Sequence, residues 1–192
     1  MNSGTNISME RMEQLMHEHV EVLPFDPEWP RRYQQAEALL QRSLPAELVA
    51  RIAHIGSTAV PGLSAKPIID IQVEVGSLER VRQEVVPIME ELGYEFIWRP
   101  TMGEKAPFYA WFIKRDKQGQ RTEHVHMVEP DAASEDRILF RDHLRAHPEA
   151  VQHYEELKRR LAERFPNDRA AYTQGKSDFV TGIVAKVRAG KA

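Results

Sequence analysis

The sequence predicts an α+β fold: a β-sheet core through about Pro130, followed by a helical C-terminal part packed on it. Three observations lead there. Short apolar runs bounded by turn residues dominate up to Pro130, whereas beyond it the apolar spacing is helical throughout. The stretch from His54 to Val75, HIGSTAVPGLSAKPIIDIQVEV, reads as strand, small-residue loop and strand. Two later β-rich runs flank a short polar link with a glycine, which predicts a hairpin.

Taken in order, residues 1–19 predict a loose tail or a short helix, without the apolar stretch of a secretion signal. Residues 20–190 predict a single domain, with its sheet core over about 20–130 and its helical part over about 134–190. Val20 to Phe25 alternates weakly, as a short edge strand does. Asp26-Pro27 starts a helix through Leu44, since Asp caps free amides and Pro tolerates the first turn. Its inward stripe is Trp29, Tyr33, Ala36, Leu39 and Leu40. Strands follow at Leu48 to Ile55 and Pro67 to Val75. Ser77 caps a helix ending at Gly93, which Pro87 must kink or split. Tyr94 to Trp98, Phe108 to Arg115 and Arg121 to Glu129 complete the strands, with Asp116 to Gln120 as the hairpin link. Ser134 caps a helix through Ala146, Pro148 opens another through Phe165, and Asn167 or Asp168 caps the last.

Composition narrows the chemistry. The chain has 192 residues and 42% apolar content, enough to bury a core. A formal net charge of −3 argues against nucleic acid or an anionic membrane as the partner. There are no cysteines, so disulfides, thiolate metal sites and cysteine nucleophiles are excluded, as expected of a cytoplasmic protein. No segment approaches the roughly 20 apolar residues of a membrane span. The oligomeric state stays open.

The candidate site comes from period-two counting, because alternate strand residues share a face. Asp70, Gln72 and Glu74 lie on one face of their strand, opposite Ile69, Ile71, Val73 and Val75. His124 and His126 share a face of the last strand. If the two strands are close, Asp70, Gln72, His124 and His126 line one polar surface, about 7 Å apart along each strand. A solvated sheet face is the alternative for the two histidines. Asp70 stands among isoleucines, where an ionised carboxylate needs a cation or donors. The loop Gly56-Ser57-Thr58 lets backbone and hydroxyls approach a phosphate, and Lys66 can hold an anion beside it. Arg141 and Arg145, one helical turn apart, suit phosphate or carboxylate binding, or else pair with Asp142 and Glu135. Lys176 is a further substrate-binding candidate. A third arrangement joins His54, which shares parity with Gly56, to Asp70, His124 and His126 around one transition metal ion.

HIGSTAVPGLSAKPIIDI resembles the opening motif of the GrpB family, an offshoot of the nucleotidyltransferase superfamily. HVHMVE, LFRDHLRAHPEAVQHYEELKRRLAERF and YTQGKSDFV resemble its later blocks in the same order, over roughly residues 20 to 185. The resemblance implies a nucleotidyltransferase-like mixed sheet flanked by helices. It also implies a nucleotide or phosphorylated small molecule as ligand, and a divalent metal, Mg or Mn with Zn as the alternative. GrpB-type domains also occur fused to dephospho-CoA kinase, which points to nucleotide or cofactor metabolism. Gly56 and Ser57 match the superfamily's glycine-serine pair, and Asp70 its first metal-binding carboxylate. Where active members carry a second carboxylate this chain has Gln72, and where a later strand supplies a third it offers His124 and His126. The resemblance therefore implies either divergent nucleotidyl transfer, with Asp70, His124 and His126 as catalytic residues, or binding without catalysis.

Overall fold

The structure, a computed structural model, describes residues 6–100 and 108–190. Its centre is one five-stranded sheet in the order β1-β2-β5-β4-β3. The strands are β1 (Val49–Ile55), β2 (Ile69–Val75), β3 (Tyr94–Pro100), β4 (Phe108–Arg115) and β5 (Arg121–Val128). β2 and β5 run parallel, and every other neighbouring pair is antiparallel. The predicted hairpin joins β4 to β5, with Gly119 at φ 80° closing its turn.

The alternation in β2 sorts its side chains between two environments. Ile69, Ile71 and Val73 are fully buried beside Val125, Met127 and Phe112. Helix α2 (Trp29–Ser43) covers them with Trp29, Ala36 and Leu40. The segment α3 (Leu78–Arg80), a π turn (Val81–Val85) and α4 (Val86–Glu91) adds Val81, Val85 and Met89. Each such side chain stabilises the fold by roughly 1.5–3 kcal/mol relative to exposure. The opposite face carries the polar residues. Over β3 and β4 it is covered by α1 (Met9–His17), whose Leu15 packs among Ile97, Tyr109, Trp111 and Ile113. Towards β1 and β2 it meets α5 (Ala132–Ala146), followed by α6 (Pro148–Arg164), α7 (Arg169–Gln174) and α8 (Ser177–Arg188).

Local chemistry moves several expected boundaries. Val20 to Phe25 forms no strand, only an isolated bridge between Leu23 and Ala65. Pro24 has no N–H to continue it, and Val20 and Val22 pack instead on Leu161 and Tyr172. α2 starts at Trp29 because the Asp26 carboxylate accepts from the Glu28 N–H at 2.9 Å, ahead of the helix. Ser77 caps as expected, and the π turn before Pro87 accommodates its missing donor without ending the helix. Asp131, not Ser134, caps α5, with Ser134 completing a capping box from the third helical position. Asp168 caps α7, and the last helical stretch is divided at Gly175-Lys176.

Candidate functional site

The parallel pairing of β2 with β5 sets Asp70 opposite His124 and Gln72 opposite His126. His124 Nδ1 lies 3.0 Å from Asp70 Oδ1, and His126 Nε2 lies 3.8 Å from the same oxygen. One ligand atom from each of the three residues fits within a 4.8 Å group. β4 orients the imidazoles through Trp111, edge-on to His124 at 5.1 Å and stacked on His126 at 6.2 Å.

The protonation state follows from Arg121, whose Nη1 faces His124 Nε2 at 3.4 Å. A guanidinium only donates, so Nε2 carries the lone pair and Nδ1–H donates to Asp70. Burial pushes His124 down to about 3, against the pull of Asp70, so the ring is neutral. For Asp70, burial favours the acid, but the hydrogen bond from His124, with His126 close by, outweighs it and holds the carboxyl well below its usual range. The pair is an anion beside a neutral imidazole.

Gly56 makes this geometry sterically feasible. Its backbone sits at φ 72°, ψ −173°, a region essentially reserved for glycine. A Cβ there would stand 2.6 Å from Asp70 Oδ2. The next residues form a single 3₁₀ turn, Ser57–Ala59. Ser57 hydrogen-bonds the Tyr154 phenol, whose pKa is raised by burial. Thr58 is buried, and its hydroxyl bridges the Ile68 carbonyl at 3.2 Å and His54 Nε2 at 3.0 Å.

His54 does not join the cluster. It pairs with Ile71 and lies on the apolar side of the sheet, its ring stacked on Tyr33 at 4.5 Å. Parity with Gly56 misleads because β1 ends at Ile55 and the positive φ of Gly56 turns the chain. Burial lowers His54 to about 4.

Gln72 is engaged by its neighbours. Its Nε2 donates to Glu74 Oε1 and to the Ser134 carbonyl, both at 3.1 Å, while Oε1 accepts from Arg137 at 3.2 Å. Glu74 is itself paired with Arg51. A carboxylate at position 72 would face two acceptors, so the amide is the group that fits. Arg141 donates to the His54 carbonyl at 2.8 Å and Arg145 to the Ala59 carbonyl at 2.9 Å. Both also approach Asp142. They brace the end of β1 and the small-residue turn from α5, while Glu135 pairs with Arg188.

Three cations, Lys66, Lys176 and Arg169, interact electrostatically with Asp70. Lys66 and Lys176 lie over the Tyr172 ring, 5.2 and 4.5 Å from its centroid. Arg169, at the start of α7, donates to the His19 carbonyl, while its Nε and Nη1 are buried without a hydrogen-bond partner. Burial, with Lys176 and Arg169 nearby, holds Lys66 well below the usual lysine range. Burial also brings Lys176 down to about 8 and Arg169 to about 10, with Asp70 opposing in each case. Lys158 is buried differently, donating to the Ser64 carbonyl. Arg121, Arg169, Tyr154 and Tyr172 were not among the sequence candidates. YTQGK sets Tyr172 four residues before Lys176, but no local pattern joins Arg121 or Arg169 to Asp70.

A family model described as GrpB protein matches residues 19–186. This chain belongs to the GrpB family. It is 42% identical to a UPF0157 protein of Pseudomonas aeruginosa, over 90% of this chain and 69% of that protein. A crystal structure of the conserved protein GrpB from Enterococcus faecalis superposes with a TM-score of 0.71 at 31% identity, covering 86% of this chain and 96% of that one. The GrpB region is also 30% identical to part of a protein called dephospho-CoA kinase from Mycolicibacterium paratuberculosis; the match covers 86% of this chain and only 45% of that protein. Among the described residues no helix is long and apolar enough to cross a membrane.

Proposed function

We propose that this GrpB-family protein binds a phosphorylated small molecule, a nucleotide being the class that fits best, between the polar sheet face and the C-terminal helices. One observation carries this reading. Lys66, Lys176 and Arg169 all act on the Asp70 carboxylate, Arg169 having Glu18 at 3.9 Å as a second acid, and the two lysines lie over the Tyr172 ring. Desolvated cations in excess of their counter-charges call for an anion, and a phosphate supplies several acceptor oxygens. Lys66, Lys176 and Ser57 contact that group in this reading, and Gly56 allows it close to the backbone. Arg141 and Arg145 position the turn from behind.

A divalent cation is the second part of the proposal. One carboxylate and two imidazoles suit a single Mn²⁺ or Zn²⁺ ion better than a pair of Mg²⁺ ions, which need several anionic ligands. Asp70, His124 and His126 would hold it and polarise a bound phosphate. His124 can ligate through Nδ1 only after moving that proton to Nε2, which then faces a donor on Arg121. Metal binding and the Arg121 contact therefore compete. Divergent nucleotidyl transfer is the reading that the glycine-serine pair and Asp70 favour if such an ion binds.

Calorimetry with nucleoside triphosphates and CoA-type compounds, with and without Mn²⁺ or Mg²⁺, tests the binding. The name of the kinase relative is the reason to include dephospho-CoA. Lys176→Gln is expected to weaken binding about tenfold or more, the loss of one charge-assisted hydrogen bond. Asp70→Asn is expected to abolish metal dependence. No binding to the wild type at millimolar ligand, or none that responds to Lys176, refutes the reading.

A further inference from the structure

A cavity of about 490 Å³ opens beside this site, between the N-terminal segment, the loop at Lys66, the hairpin end of β4 and β5, and the start of α7. Its size falls within the range of small-molecule sites. Five of its lining side chains are cationic: Arg32, Lys66, Arg115, Arg121 and Arg169. The acids do not balance them. Asp116 is occupied by the backbone N–H groups of Gln118 and Gln120, at 3.0 and 2.8 Å, and Glu21 is exposed.

That leaves Glu18. Its carboxylate accepts from Arg115 and from Arg121, each at 2.6 Å, and approaches Arg169 at 3.9 Å. Glu18 thus serves three guanidinium groups; Glu95 reaches Arg115 Nε only at 3.9 Å and is itself hydrogen-bonded to Arg11, while Nε of Arg115, and Nε and Nη1 of Arg169, are buried without a hydrogen bond. Forks of this kind are matched by an oxyanion with more acceptor oxygens than a single side-chain carboxylate provides. Glu18 also stands at an end: it is the residue that closes α1, and the chain leaves it in extended conformation. α1 is held independently by Leu15 among Ile97, Tyr109 and Trp111. The Glu18 side chain can therefore leave the arginines without the helix leaving the sheet.

We infer that this cavity is a second anion-binding site, in which the phosphate or carboxylate group of a small molecule replaces the Glu18 carboxylate on Arg115, Arg121 and Arg169. Lys66 and Arg169 border both this cavity and the Asp70 site, so a ligand with two anionic groups can span them. The inference rests on the cavity's own residues and stands apart from the reading of Asp70.

The test uses inorganic pyrophosphate with EDTA, titrated calorimetrically into the full chain carrying Lys176→Gln, so that the Asp70 site contributes little. Adding Glu18→Gln removes the resident competitor and is expected to tighten pyrophosphate binding about tenfold. Adding Arg115→Gln is expected to weaken it about fivefold or more. Glu18→Gln that stays folded and binds pyrophosphate no better, or worse, overturns the inference: Glu18 then only organises the arginines. Should Glu18→Gln fail to fold, Arg115→Gln decides alone, and unchanged binding overturns the inference. Nucleotide binding that depends on Lys176 while pyrophosphate ignores both cavity variants removes the second site and leaves the first. The converse result removes the first alone.

Discussion

Replacing Gly56 by alanine tests the architecture around Asp70 at its tightest point. Two costs add there. The backbone conformation, φ 72° and ψ −173°, is one that an L side chain tolerates only at about 1–3 kcal/mol. The new methyl would also stand 2.6 Å from Asp70 Oδ2 and 3.1 Å from its Cβ, closer than contact allows. Relieving such overpacking costs about 1–3 kcal/mol more and displaces the carboxylate from the His124 N–H. The expected loss is therefore about 2–6 kcal/mol, or roughly 5–20 °C in Tm for a chain of this size. Gly62 is the internal control: its φ is 78°, but a Cβ there meets nothing within 4 Å. Gly62→Ala should cost only the backbone part, about 1–2 kcal/mol. Urea denaturation of both variants, read with nucleotide titrations, separates the contributions. Gly56→Ala as stable as Gly62→Ala, with ligand response intact, would refute the claimed contact between the turn and Asp70.

The remaining expectations address other parts of the structure. His54 has its folded pKa lowered from 6.5 to about 4, so between those values the unfolded chain binds more protons. Its contribution, on the order of 3 kcal/mol, is full above pH 6.5 and is lost as pH falls towards 4; His54→Leu should flatten the urea-derived stability profile in that window, and an unchanged slope would count against the stacked neutral ring. Gln72→Glu sets a carboxylate against Glu74 and the Ser134 carbonyl, and should destabilise at neutral pH by about 1–3 kcal/mol; no loss in chemical denaturation contradicts the amide network. Asp131→Ala removes the cap of α5 and should cost about 1 kcal/mol, measured the same way against Ser134→Ala, which leaves the cap's own bond to the Ser134 N–H in place.

The local patterns in the chain carry real information about this site. Period-two alternation alone puts Asp70, Gln72 and Glu74 on one side of β2, and His124 with His126 on one side of β5, because the pleat leaves no other arrangement. The glycine-serine turn, the hairpin at Gly119 and the caps at Ser77 and Asp168 are equally local, each set by a few neighbouring residues. Alternation could not decide that β2 and β5 are neighbours. Their parallel pairing joins Asp70 to His124 across 54 residues, and only the folded sheet supplies it. Nor could it decide what Gln72 does, because its partners on Arg137 and Ser134 come from a helix more than 60 residues away. His54 shows the limit from the other side, since its parity was readable but the turn at Gly56 redirected the chain after it. The charge balance is the most tertiary feature of all. Glu18, Lys66, Arg121, Arg169 and Lys176 are scattered along the chain, and only Lys66 and Lys176 stand out as candidates in their own sequence neighbourhoods. Their excess of positive charge exists only where the fold draws them together, because an electrostatic field sums over space and not along the chain.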